Sequence, residues 1–169
     1  TRKGYKTYPL TVAQKFHNYY SEYCPGKEIL NVGTSLTIEF ELNIDEMRKA
    51  IYKAYERCES MRARLVFDKK EKEWYQYIAD KEDREIEFVD FTGKTMEEAE
   101  AEMTAWTRVP FDKEDEPMNK VTIIKTPDGY EGMYLVGDHR FLDAQSLIGF
   151  MKDVIELYCN ANFEGVPYP

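Results

Sequence analysis

A chain of 169 residues that is 43% hydrophobic and 14% aromatic can bury a sizeable core and is too rich in such residues for disorder. Its formal net charge of −9 argues against binding to nucleic acid or an anionic membrane surface, both of which select Lys- and Arg-rich partners. No apolar stretch nears the roughly 20 residues of a spanning helix, and the polar, Tyr-rich start is no signal peptide, so a cytoplasmic protein is expected.

Residues 1–8 read as a polar lead-in. From Pro9 to about Tyr23, Leu10, Ala13, Phe16 and Tyr20 recur near helical spacing and predict a helix with those residues inward, stopped at Cys24-Pro25-Gly26. Strict alternation predicts a strand over 32–42. Asn43 then caps a helix, with Glu46 three residues on, whose apolar stripe is Ile44, Met47, Ile51, Tyr55 and Cys58. Spans 64–68 and 74–79 predict a hairpin around the charged turn 69–73, a solvated loop. A short strand follows at 86–89. Thr95 and Glu98 form a capping box for a helix to about Thr107, with Met96, Ala99, Met103 and Trp106 inward. An irregular connection at 110–117 leads to strands 119–126 and 130–136, joined by Pro127-Asp128-Gly129. The last helix runs from about Asp143 to Cys159 with Leu147, Phe150, Val154, Ile155 and Tyr158 inward. A linker-like tail occupies 163–169. Strands and helices interleave without a strict βαβ rhythm, which predicts an α/β fold with a mixed sheet and helices packed on it.

Cys24, Cys58 and Cys159 are scattered and show no CxxC spacing, as free thiols do in a reducing compartment. Neither His17 nor His139 lies near a cysteine, so no zinc site is expected. His17 reads as packed or exposed on the first helix, and Trp74 and Trp106 as core anchors. No Gly-rich phosphate loop is present, which disfavours an ATP- or NAD-binding lobe. Because the chain opens on Thr1, it is expected to be part of a longer parent.

Chemistry concentrates in Val136-Gly137-Asp138-His139-Arg140-Phe141-Leu142-Asp143-Ala144-Gln145-Ser146, where an apolar strand runs through a polar loop into an amphipathic helix. A histidine there sits at the open end of a sheet beside a helix N-terminus, whose amides favour developing negative charge. An imidazole can take and return a proton near neutral pH. Chance alone places an aspartate four residues after one of two histidines in roughly one such chain in eight, so HxxxD alone leaves two readings. Either His139 is a catalytic base, or it is hydrogen-bonded in a loop while Asp143 caps the last helix.

The surrounding segments resemble, in order, those of nonribosomal peptide synthetase condensation domains, members of the chloramphenicol-acetyltransferase-like acyltransferase superfamily. Tyr8-Pro9-Leu10-Thr11 with Gln14 is similar to the family's PLS/T…Q opening. Arg57-Cys58-Glu59-Ser60-Met61-Arg62-Ala63-Arg64-Leu65 resembles RHExLRTxF. Val109-Pro110-Phe111-Asp112 with Glu116-Pro117-Met118 resembles "pFDl…gPL". Gly137 to Ser146 falls on HHxxxDGxS, and Ile155-Glu156-Leu157-Tyr158 on the closing "ELY". The resemblance covers only an N-terminal lobe, residues 1–162. It implies a second lobe of the same parent beyond the tail, with the active site in a tunnel between them.

By this resemblance His139 matches the catalytic histidine, which would deprotonate an amine or hydroxyl acceptor. That nucleophile would attack a thioester carried on phosphopantetheine, on an acyl or peptidyl carrier protein, or on coenzyme A. No permanently bound cofactor and no metal are implied. Asp143 matches the motif aspartate, which pairs with an arginine to fix the loop. Arg62 matches the "LR" arginine and is either that partner or a helix-end or surface arginine. Asp138 stands where the family has its first histidine, Ala144 replaces the motif glycine, and Cys58 the histidine of the RHE run. Were position 144 to need φ > 0, alanine would be strained there and its amide misplaced for an oxyanion. Ser146 matches the motif serine or serves the helix start. The departures leave a second reading: a catalytically silent relative that docks a carrier protein or another synthetase domain.

Overall fold

Caps and turns divide the described residues, 2–24 and 30–162 of a computed structural model, into β1 (Tyr8–Pro9), α1 (Val12–Tyr23), β2 (Asn31–Ile38), α2 (Ile44–Arg57), a short 3-10 helix (Glu59–Arg62), β3 (Ala63–Asp68), β4 (Glu73–Ile78), β5 (Glu87–Asp90), α3 (Met96–Thr107), β6 (Asn119–Lys125), β7 (Glu131–Asp138) and α4 (Ala144–Asn162). Reciprocal capping boxes start α1 (Thr11 with Gln14) and α3 (Thr95 with Glu98). Asn43 accepts the Glu46 amide at the start of α2. Gly129 turns the β6–β7 hairpin at φ +93°, a conformation that costs glycine little.

Four strands form the main sheet in the order β2-β7-β6-β5, antiparallel except for the parallel β5–β6 pair. Alternate side chains of β6 and β7 face opposite sides. Ile123, Met133 and Leu135 join Met47, Ile51, Tyr55, Leu147, Phe150 and Val154 under α2 and α4. Ile124, Tyr134 and Val136 meet Phe91 and Ala99 under α3. With both faces covered, the strands read as near-continuous apolar runs, and each fully buried Leu, Ile or Met contributes about 1.5–3 kcal/mol. Gly132 lets β7 approach β2: a Cβ there would lie 1.9 Å from the Leu36 carbonyl oxygen.

The expected mixed sheet is present, and a second, antiparallel sheet of order β1-β4-β3 stands beside it. Four expectations are corrected. Pro9, together with Tyr8, pairs with β4 instead of opening the first helix. Within α1 the buried residues are Gln14 and Asn18, while Ala13, Phe16 and Tyr20 are exposed, because that helix lies on a polar surface that supplies partners to its amides. Met96 is exposed, since it occupies the first turn of α3 ahead of the buried Ala99. The predicted strand over 32–42 stops at Ile38, with Phe40 exposed and Leu42 buried. The three cysteines are free and half-buried. Among the described residues no helix is long and apolar enough to cross a membrane. The breaker Pro25-Gly26 and the tail 163–169 lie outside the described residues.

Candidate active site

β7 ends in the centre of the sheet, and its last residues are fastened on both sides. Asp138 donates its amide to the Met118 carbonyl, and His139 donates its amide to the Leu30 carbonyl at 2.7 Å. The chain then turns sharply: the Asp138 carbonyl accepts from the amides of Phe141 and Leu142. Leu142 folds back so closely that a Cβ on Gly137 would lie 2.3 Å from its Cδ1. Apolar strand, tight turn and helix thus place residues 139–143 at one end of the sheet.

The His139 side chain stands exposed at this end. Its Nδ1 lies 2.7 Å from the Leu142 carbonyl oxygen. A carbonyl only accepts, so Nδ1 carries the proton and Nε2 of the neutral ring keeps the lone pair. Asp143 caps α4, accepting both the amide and the hydroxyl of Ser146 at 2.7 Å. The Ser146 amide above all, then its hydroxyl, with help from the charge of His139, hold the Asp143 carboxyl below the usual carboxylate range.

Asp138 and Arg140 make the best-buried ion pair of the loop, with side chains 3% and 7% exposed. The guanidinium donates to Asp138 through Nε at 2.8 Å and Nη2 at 2.7 Å, to Asn18 Oδ1 through Nη1 at 2.8 Å, and to the Phe111 carbonyl through Nη2 at 2.9 Å. One side chain therefore ties the end of β7 to α1 and to the connection before β6. Neither Arg140 nor Asn18 stood out in the sequence; the only local signal was an aspartate and an arginine two apart flanking His139.

Of the two readings of Arg62, the structure matches the helix-end arginine and not the partner of Asp143. Arg62 is buried and donates to the carbonyls of Tyr55 (2.9 Å), Glu56 (3.3 Å), Ala79 and Asp80 (3.0 Å). It closes the C-terminal end of α2, where carbonyls left without helical partners attract a cation, and joins that end to the residues after β4. Ala144 enters α4 in ordinary backbone, since positive φ among the described non-glycine residues falls at Lys3, Lys72 and Asp115. Alanine is thus unstrained where the motif has glycine. Ser146 gives both its donors to Asp143 and so serves the helix start.

The structure also brings in His17. Its ring centroid lies 5.3 Å from that of His139, with the planes inclined at 57°. Its Nδ1 is 2.9 Å from the Ala13 carbonyl oxygen, so it too is protonated at Nδ1. Sequence reasoning set His17 aside because nothing near it in the chain marks a site. Among the described residues no group of three or more His, Cys, Asp and Glu side chains is placed to hold a metal ion.

Comparison with known proteins agrees with this fold. The condensation-domain family model matches residues 5–167. Among solved structures, the starter condensation domain of rhizomide synthetase is similar at a TM-score of 0.86 and 17% identity, over 97% of this chain and 40% of that one. A variant of that domain in complex with C8-CoA is similar at 0.86 and 17%, over 97% and 38%. The first condensation domain of the calcium-dependent antibiotic synthetase, in complex with a substrate analogue, is similar at 0.84 and 19%, over 97% and 40%. The chain therefore spans about two fifths of the length of these structures. Among curated proteins no relative matches.

Proposed function

Because the chain belongs to the condensation-domain family, we propose that it is one lobe of an acyltransferase. It would move an acyl group from a phosphopantetheine or coenzyme A thioester to an amine or hydroxyl acceptor, with His139 as general base. The observation that carries this reading is the hydrogen bond from Nδ1 to the Leu142 carbonyl, which leaves Nε2 as the one basic nitrogen of an exposed ring. The acceptor gives its proton to Nε2 as its nitrogen or oxygen attacks the thioester carbonyl carbon. The C–S bond then breaks and the imidazolium returns the proton to the departing thiolate. The amides at the start of α4, from Ala144 on, lie at the positive end of the helix and favour negative charge on the carbonyl oxygen.

The C8-CoA complex of the rhizomide synthetase variant supports coenzyme A thioesters as one donor class; carrier proteins bearing phosphopantetheine are the other. A second lobe of the same parent supplies the opposite wall of the tunnel, so this chain by itself holds the base without turning over. The exposure of His139 and the two-fifths span support that division. Replacing His139 by Ala in the parent enzyme lowers turnover by about 10²–10⁴-fold with the fold intact; unchanged activity rejects the assignment.

A catalytically silent docking domain is the second reading, favoured by Asp138 at the place of the family's first histidine and by the exposed Val12, Phe16, Tyr19, Tyr20 and Tyr23 of α1. A parent that binds a carrier protein yet transfers no acyl group from any thioester donor would establish it.

A further inference from the structure

His17 and His139 come from opposite ends of the chain, and their ring centroids lie 5.3 Å apart. Each ring is pinned through Nδ1 to a main-chain carbonyl, of Ala13 and of Leu142, so each presents a basic Nε2. Their spacing is built in. Asn18 and Arg140, the immediate neighbours of the two histidines, are joined by the 2.8 Å bond from Nη1 to Oδ1, and Arg140 is itself locked to the buried Asp138. The pair is thus held by a buried polar clamp rather than by chance contact of two surface rings. The charged groups near it include that Asp138–Arg140 pair, neutral in sum, and the Asp143 carboxylate at the start of α4.

We propose that His17 is a second working base of this site, one that serves amine acceptors by taking a proton from their ammonium form. The inference rests on the reading of His139 as general base. At neutral pH an amine arrives largely as its ammonium ion, and it sheds two protons before an amide is complete; an alcohol sheds one. Nε2 of His17 takes the first proton from the ammonium nitrogen and, being half-exposed, passes it to water. The free amine then attacks the thioester carbonyl carbon, forming C–N and breaking C–S, while His139 takes the second proton and delivers it to the thiolate. Ammonium and thioester become amide, thiol and one proton released to solvent.

The test uses the parent enzyme with three acceptors of matched shape: an alkylamine, an acyl hydrazide that is neutral at the assay pH, and an alcohol. His17→Gln lowers kcat/KM for the alkylamine by about 100-fold, the lower end of what a positioned base supplies, and leaves the hydrazide and alcohol rates unchanged. His17→Phe, which keeps a ring without a base, gives the same selectivity and guards against a helix defect in the first variant. Equal loss on all three acceptors, or no loss on the amine, overturns the proposal. His139→Ala lowers transfer to all three by about 10²–10⁴-fold; if it does not, the underlying reading fails instead. On the chain itself, nitrogen-15 NMR of the two histidines should find both protonated at Nδ1, with ring-to-ring contacts that disappear in Asn18→Ala. Contacts that persist in that variant overturn the clamp as what sets the spacing of the two rings.

Discussion

Arg140 forks onto the carboxylate of Asp138 two residues before it, and both side chains are almost wholly out of water. A lone buried carboxylate at the end of a central strand would be costly, and the guanidinium makes it tolerable only because its remaining donors also find acceptors in Asn18 and Phe111. Removing one partner strands the other. Arg140→Met should cost about 3–5 kcal/mol by urea unfolding, and the double variant with Asp138→Leu much less than the sum of the singles. Additive losses would mean that the pair does not act as a unit.

Gly137 is a second test of how the loop is held. A Cβ there meets Leu142 Cδ1 at 2.3 Å and Asn119 Cβ at 3.3 Å, and Leu142 is packed in the main core. Gly137→Ala should therefore lose about 1–3 kcal/mol through overpacking. It should also shift the His139 resonances, because the Leu142 carbonyl holds Nδ1. Adding Leu142→Val makes room and should restore part of both.

The acid limb of stability should carry the mark of Asp143. Its folded carboxyl sits below the unfolded value of about 3.9, held there first by the Ser146 amide. Its contribution is whole above that value and is lost as the pH falls through the lower, folded value. Asp143→Asn, still a good cap, should leave stability near neutral pH almost unchanged and flatten the loss below about pH 4. Asp115, lowered chiefly by its bond from Arg2, keeps its own share of that limb in the variant.

At the alkaline end Tyr55 has the opposite sign. Burial pushes its phenol up to about 12, and its hydroxyl donates to Asn119 Oδ1 at 3.1 Å. A folded value above the unfolded one of about 10 gives stability that is full below the unfolded value and is lost as the pH rises through the folded one. Tyr55→Phe should cost about 1 kcal/mol at neutral pH, the ordinary worth of one hydrogen bond, and reduce the alkaline loss in unfolding titrations. Tyr77, also pushed up to about 12 by burial and by its bond to Asp115, keeps part of that slope.

Much of this was legible in the chain. The capping box at Thr95 and the stripe from Met47 to Tyr55 describe local bonds and one helical face, so sequence spacing contains them. The orientation of α1 was not, because Phe16 and Tyr20 mimic a core stripe. What decides the burial of Gln14 and Asn18 is a pair of distant partners, Gln76 and Arg140. The same holds at the site. The order of motifs marks His139 and Asp143, but the partners of Arg62 are carbonyls gathered by folding, and His17 becomes a neighbour of His139 only across the clamp. Sequence patterns show which residues bear chemistry more readily than which ones meet.

The reversed polarity of α1 has one more consequence. A helix of 12 residues is marginal in water by itself, and this one turns its aromatic side chains outward and seats Gln14 and Asn18 beneath it. Its attachment is thus made of hydrogen bonds that water can replace rather than of apolar area, and such segments open at lower free energy than the rest of a domain. In amide hydrogen exchange α1 should lose protection ahead of α2 and α4. Every such opening carries His17 away from His139, so the local breathing of one helix sets how much of the time the two rings stand together.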